Sequence, residues 1–466
     1  MTRRVVIGLC VLMMMAAGTI IARAQSGRNP AWRFGVVGAY EAPDEARDLG
    51  VGWERITFDW AAFQPEGPDD FETDALEEAW LEAAEEADRE VVGLITHTPT
   101  WASDSGAVDA VPNGLNFPLD NPANVWAAFV TRLAEYYAPL GVHHWIIYDE
   151  PDVRPGEGVV QFAGEVEDYA AVLWTAYRAI KAVDPDATIH IAAMNGWTDI
   201  AAGREPYLAR LIQVLQADPG AAEHNTYFDS VTVRVGTATQ AVSDRLAEAQ
   251  AILEGMPGKT IWLETSISPA LETARQQDVP LLGVTPEHQA DFIVQAAALG
   301  LAADAERFSV YRLSDSEDEA LPWGLIRANG THRPAFDAYR MVIELFSPTL
   351  SATRYTRDDA EMIVFDQEDR EVIVFWARGT TSVRFAIASP EIGENATLYD
   401  TQGRRRRLIS DDTVYPAAFT VEAPAALPDE NGFLTVAGSP YILVLDKQDA
   451  LRVVYVLIDS ERFRLR

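Results

Sequence analysis

From residue 34 onward, short apolar runs alternate with longer amphipathic segments. The runs fall at 34–37, 53–58, 91–96, 144–148, 188–193, 230–235, 260–263 and 307–313. They are rich in Val, Ile, Phe, Tyr and Thr, which suit strands. Between them, 71–89, 122–137, 168–183, 205–216, 242–253 and 287–302 carry apolar residues at helical spacing. Asn, Asp, Pro and Thr at several starts supply caps or first-turn signals. Strand and helix in alternation predict a parallel α/β architecture, and eight such units predict a closed (β/α)8 barrel. An open doubly wound sheet shares this periodicity, but no glycine-rich phosphate loop follows the first strand.

The pattern changes at Ser347-Pro348. Beyond it come short alternating runs at 362–365, 371–376, 382–387, 397–399 and 441–445, separated by turn residues. A small antiparallel β-sandwich is expected there. Residues 451–466 add one apolar strand and a basic end. The chain thus divides into a barrel over 31–346 and a C-terminal sandwich over 347–466. The sandwich is expected to pack on the barrel, to keep clear of its cleft and to supply no catalytic group.

The first 24 residues stand apart. Arg3 and Arg4 precede the apolar run 5–21, and Ala22-Arg-Ala24 is a small-x-small cleavage site. This reads as a signal peptide and predicts a secreted, cell-surface or periplasmic protein. Retention of the run as a membrane anchor is the alternative. Its length is near the lower limit for spanning, and it contains Gly8 and Gly18, so cleavage is expected.

Composition narrows the function classes. The chain has 466 residues, is 48% hydrophobic and carries a net charge of -34. Two domains with a large core follow from the first two values. The charge repels phosphate backbones and argues against a nucleic-acid partner. The single cysteine, Cys10, lies inside the signal, so the mature chain has no disulfide, thiol nucleophile or cysteine-ligated metal. His143 and His144 are adjacent and point to opposite faces of a strand, which makes them poor co-ligands. No metal and no cofactor are expected.

Candidate chemistry centres on Trp145-Ile-Ile-Tyr-Asp-Glu-Pro151. The apolar strand stops at a proline, which sets Glu150 at the C-terminal tip, where barrel enzymes keep catalytic residues. The segment resembles the fourth-strand motif of the clan A glycoside hydrolases. Other segments resemble that clan in the same order along the chain. Gly52-Trp-Glu-Arg-Ile-Thr-Phe-Asp-Trp60 is similar to its second strand and Thr96-His-Thr-Pro-Thr-Trp-Ala102 to its third-strand end. Trp323-Gly-Leu-Ile-Arg327 and Arg333-Pro-Ala-Phe-Asp-Ala-Tyr339 are similar to its closing segment. The family 39-like branch, with a C-terminal sandwich, is the nearest pattern.

The resemblance implies a retaining two-glutamate mechanism, with Glu150 as acid/base and Glu264, in Lys259-Thr-Ile-Trp-Leu-Glu-Thr265, as nucleophile. It also implies a carbohydrate-binding shell of Arg55, His97, Trp101, Asp149, Arg234 and Trp323. Three positions depart from the pattern. Asp149 replaces the usual Asn and sets a second acid beside Glu150. Arg234 lies in Thr232-Val-Arg-Val-Gly236, where the family often has His-x-Tyr. Glu264 follows Trp262 by two residues rather than three, so either Glu264 or Thr265 faces the barrel axis. Asp315, in the cluster Asp315-Ser-Glu-Asp-Glu319, is a reserve carboxylate on what reads as a solvated loop. Two functions follow. One is hydrolysis of O-glycosidic bonds in a poly- or oligosaccharide. The other is a catalytically inactive barrel that acts as an extracellular carbohydrate-binding module.

Overall fold

The computed structural model describes residues 29–272, 283–388, 396–408, 418–428, 433–446, 455–458 and 461–464. The expected signal peptide lies outside the described residues. Among the described residues, no helix is long and apolar enough to cross a membrane.

Eight parallel strands close into a barrel in sequence order: β1 (Phe34–Val37), β2 (Trp53–Asp59), β3 (Glu90–Thr96), β4 (His144–Ile147), β5 (Thr188–Met194), β6 (Ser230–Val235), β7 (Thr260–Thr265) and β8 (Arg307–Val310). β1 pairs with both β2 and β8, which is the closure. The (β/α)8 expectation is met and the open sheet is excluded. Helices Val125–Tyr137, Val166–Val183, Tyr207–Ala217, Thr239–Ile252, Pro286–Ala302 and Pro334–Phe346 form most of the outer layer. The segment read as one helix over 71–89 is shorter, a 3-10 turn at Thr73–Ala75 and a helix at Glu78–Glu86.

Strand alternation sorts side chains between the helices and the axis. On β2, Ile56 and Phe58 join the core shared with the helices, while Trp53 belongs to a separate cluster with Val92, Leu94, Ile146 and Trp262. That second cluster fills the barrel interior. It requires Gly35 on β1, because a Cβ there would lie 2.1 Å from the Trp53 ring. Toward the N-terminal end of the strands lies a polar group. Arg307 Nη2 meets Glu90 at 2.6 Å, His144 also pairs with Glu90, and His144 Nδ1 lies 3.1 Å from His190 Nε2. His143 faces the other way and pairs with Asp184 at 2.7 Å, as adjacent strand positions require.

Beyond Pro348 the chain forms two antiparallel sheets. The larger has the order β14-β13-β16-β11-β10-β9, with β9 (Ser351–Thr356), β10 (Ala360–Asp366), β11 (Arg370–Ala377), β13 (Ala396–Asp400), β14 (Arg405–Arg407) and β16 (Tyr441–Asp446). The smaller has the order β15-β12-β17-β18, with β12 (Val383–Ala388), β15 (Ala418–Ala423), β17 (Tyr455–Ile458) and β18 (Glu461–Arg464). Strands β9, β14 and β15 escape the alternation reading, and the final segment forms two paired strands instead of one.

One face of the larger sheet shares the barrel's core through Phe365, Trp376 and Ile442, and the other packs on the smaller sheet through Phe375 and Phe385. Thr401 and Ser439 bond the buried Asp291 on helix Pro286–Ala302, and Gln295 donates to the carbonyl of Gly438. The segment around Thr435 also reaches Thr239, at the start of the helix after β6. The C-terminal domain therefore also touches the start of the helix that follows β6.

Candidate active site at the barrel mouth

Inward-facing residues near the C-terminal strand ends build the candidate site. Arg55 stands on β2, Arg234 on β6 and Glu264 on β7, with Asp149 and Glu150 just past β4. Arg234 and Glu264 are paired positions on adjacent strands. The backbone after β4 turns sharply: Tyr148 and Glu150 have positive φ values of 57° and 39°. The Tyr148 amide bonds the carbonyl of Ile95, and the Glu150 amide that of Ala193. Neighbouring strands thereby hold the turn that carries the two acids.

The Arg234 guanidinium is the hub. Its Nε donates to Glu264 Oε1 at 2.7 Å and its Nη1 to Glu150 Oε1 at 2.8 Å. Its Nη2 lies 3.1 and 3.2 Å from the two oxygens of Asp149. Arg55 Nη1 donates to the other oxygen of Glu264 at 2.7 Å. Glu264 is 2% exposed, so both its oxygens are held by arginines in a nearly dry place. Burial pushes its carboxyl up, but the charges of Arg55 and Arg234 outweigh burial and the net shift is downward. Arg234 is raised well above its ordinary value. Burial lowers it, and the charges of Asp149, Glu264 and Glu150 more than reverse that.

Glu264, not Thr265, faces the axis. The Thr265 hydroxyl donates to the carbonyl of Ser309. Trp262 lies in the interior cluster, and Glu264, two residues on, shares its face.

His97 lies on the β2–β3 side of the mouth. Its Nδ1 meets Asp59 Oδ2 at 2.9 Å, with both side chains 38% exposed. The Asp59 hydrogen bond raises His97 above the ordinary histidine value, against burial. Trp101 donates through Nε1 to the carbonyl of Gln64 and packs edge-on to Trp60, so much of it is structural. Trp323 packs edge-on to Tyr311, over whose ring the Arg55 guanidinium sits at 5.7 Å.

Arg55, Asp149, Glu150, Arg234 and Glu264 thus form one network, with Trp323 near it through Tyr311. His97 and Trp101 stand on the β2–β3 side. Sequence reasoning missed Tyr311 and Asp59. Alternation from Arg307 and from Arg55 would have found both. The loop after β8 meets the solvated expectation only in part. Asp315 is held by Arg333 at 2.7 Å, while Glu319 accepts from the Tyr311 hydroxyl at 2.6 Å and from Arg312 Nη1 at 2.9 Å. Ion pairs pin the loop at both ends, where Asp315 serves as an anchor, while Glu317 and Asp318 between them are exposed. Among the described residues, no cluster of three or more His, Cys, Asp or Glu residues could hold a metal ion.

The same fold recurs in solved structures. A family 39 glycoside hydrolase from Bacteroides cellulosilyticus WH2 superimposes with a TM-score of 0.62 at 14% identity, over 89% of this chain and 80% of that one. The fold is that of the clan A glycoside hydrolases. The catalytic domain of a family 30 xylanase C from Talaromyces cellulolyticus matches with a TM-score of 0.57 at 15% identity, over 89% of this chain and 96% of that one. A family 44 xyloglucanase from Paenibacillus polymyxa matches with a TM-score of 0.53 at 10% identity, over 90% of this chain and 96% of that one. No protein-family model matches the sequence, and no curated protein matches it.

Proposed function

We propose that this protein is an exported glycoside hydrolase-like barrel that binds a poly- or oligosaccharide at its C-terminal mouth without cleaving it by the two-glutamate route. One observation carries the reading: a single guanidinium, Arg234, bonds Glu150, Asp149 and Glu264 at once. Retaining hydrolysis places the reacting sugar carbon between two carboxyl groups about 5–5.5 Å apart. Here an arginine side chain bridges those groups. Glu264 would also attack as a nucleophile with both oxygens committed to arginines, which lowers its reactivity. The proton donor must offer its proton to the leaving oxygen, and Glu150 Oε1 instead accepts from Arg234. The carbohydrate class follows from the fold and from Trp197 and Trp323, aromatic surfaces near the ends of β5 and β8. Trp197 is 51% exposed. Sugars stack on such rings.

A second reading is retaining hydrolysis with Glu150 as acid/base and Glu264 as nucleophile. It is favoured by the reach of both glutamates to one guanidinium, which sets their carboxyls face to face, and by the Arg55–Glu264 contact. It requires Arg234 to swing aside when substrate enters. A panel of aryl glycosides and neutral oligosaccharides, assayed with wild type, Glu264→Ala and Trp323→Ala, separates the two. The binding reading expects equal background rates for wild type and Glu264→Ala, with oligosaccharide binding weakened in Trp323→Ala. Turnover by wild type that Glu264→Ala abolishes would establish the hydrolase.

A further inference from the structure

The loop after β3 and the helix Val166–Val183 enclose a cavity of about 300 Å³ on the outer layer of the barrel. Phe117 and Asp120 line it from the loop, and Trp174, Thr175 and Arg178 from the helix. Helical spacing sets Trp174 and Arg178 one turn apart on one face. Both walls are held in place. Gly114 turns the loop with a φ of 81°, and a Cβ there would lie 1.8 Å from the carbonyl oxygen of Ala123. The buried Asn124 donates through Nδ2 to the carbonyl of Phe117 at 3.0 Å and caps the helix Val125–Tyr137 with its Oδ1. Trp174 packs edge-on to Tyr227, with 6.2 Å between ring centres. The polar lining, by contrast, is uncommitted. Thr175 is 1% exposed, yet among the described residues its hydroxyl has no hydrogen-bond partner. A hydroxyl so deeply placed ordinarily has one. Asp120 and Arg178 are exposed, and among the described residues neither side chain makes a hydrogen bond or an ion pair, even with the other.

We infer that this cavity is a second carbohydrate site, which holds a sugar ring of a neutral polysaccharide outside the barrel mouth. The choice of a sugar rests on the carbohydrate reading of the mouth, and three features of the cavity fit that class. Phe117, which is 44% exposed, and Trp174 offer apolar ring surface on which a sugar can stack. Asp120 only accepts, Arg178 only donates and the Thr175 hydroxyl does either, so the set matches sugar hydroxyls, which do both. The single cation and single anion of the lining offset each other, while the chain's net charge of -34 repels acidic polymers. A volume of about 300 Å³ lies at the small end of ligand pockets, about 300–1,000 Å³, which suits a short stretch of a longer chain.

The test is calorimetric titration of the full chain with cellohexaose, xylohexaose and mannohexaose, with benzoate as an aromatic acid for comparison. Wild type, Trp323→Ala and Trp323→Ala combined with Phe117→Ala/Arg178→Gln are compared. Trp323→Ala should keep binding of at least one hexasaccharide. Adding Phe117→Ala/Arg178→Gln should weaken that remaining binding about tenfold or more, the scale of one hydrogen bond to a charged group. Its thermal midpoint should stay unchanged, because both replaced side chains are exposed. Thr175→Val, which keeps the shape and removes the hydroxyl, should weaken the remaining binding in the same direction. Undiminished binding in the combined variant, or no binding left in Trp323→Ala, overturns the inference and leaves the reading of the mouth in place. Benzoate bound more tightly than every hexasaccharide, and released by the cavity substitutions, overturns it as well. Failure of wild type to bind any of the three sugars counts against the inference and the proposed function together.

Discussion

Arg234 and Glu264 face one another from paired positions on β6 and β7, and the Arg234 Nε donates to Glu264 Oε1 at 2.7 Å. The same guanidinium reaches across the mouth to Glu150 and Asp149, so three acids share one positive group. Removing it leaves carboxylates crowded in a low-dielectric place with only Arg55 on Glu264. Arg234→Met should therefore lower stability by about 3 kcal/mol or more, the scale for breaking a buried pair from one side. Urea unfolding of the two proteins measures it. An unchanged midpoint would show that the three acids need no clamp.

Glu150→Gln distinguishes the two functions from the other side of the clamp. Under the binding reading, neutral-oligosaccharide affinity changes by less than about threefold, because the amide keeps an acceptor oxygen for Arg234. Under hydrolysis, turnover of glycosides with poor leaving groups falls by orders of magnitude, and activated aryl glycosides suffer less. Parallel binding and rate measurements on this variant decide between them.

Acid should unfold the protein partly through Glu264. Its folded carboxyl sits below the ordinary value of 4.5. A depressed carboxylate contributes stability above its unfolded value and loses it as pH falls toward the folded one. Stability of wild type should therefore drop as pH is taken below about 4.5. In Glu264→Gln this part of the slope should be missing. Denaturant unfolding as a function of pH reads the difference.

A second acid response comes from the opposite end of the barrel. His190 is fully buried, beside His144, with Arg307 and Glu90 in the same cluster. Burial first, then the like charges of His144 and Arg307, push it well below 6.5. A depressed histidine must stay neutral in the fold, while the unfolded chain takes up a proton as pH falls below 6.5. Stability is thus complete above that pH and declines beneath it. His190→Gln should flatten the decline between neutral pH and the onset of the Glu264 effect, whatever its cost at neutral pH. An identical slope in wild type and variant would remove His190 from this role.

Close packing inside the barrel gives a simpler check. Gly35→Ala would push a methyl group into the Trp53 ring, 2.1 Å from the nearest ring carbon. Trp53 is itself wedged against Trp262 at 5.0 Å between ring centres. A loss of about 1–3 kcal/mol is expected in thermal or urea unfolding.

The sequence by itself determined the eight strands, their order and the change to antiparallel structure after Pro348. Alternating and helical periodicities are local properties, and each run had one. The resemblance to the clan A hydrolases also named the residues of the Arg234 network, through motifs that lie on or just past the strands. Which alternate set faces the axis was open at β7, since alternation states only that Trp262 and Glu264 share a side. Closure of the barrel decided it by putting Trp262 against Trp53 and Glu264 beneath two arginines. The clamp itself joins residues 84 and 30 positions apart, through side-chain contacts that no local pattern encodes. The edge strands β9, β14 and β15 stayed hidden; β9 and β14 are polar and bury no residue fully, so ladder bonds rather than apolar alternation hold them. The loop 315–319 read as solvent-facing for the same reason. Asp315 and Glu319 are neutralised by Arg333 and Arg312, and only the folded chain brings those partners together.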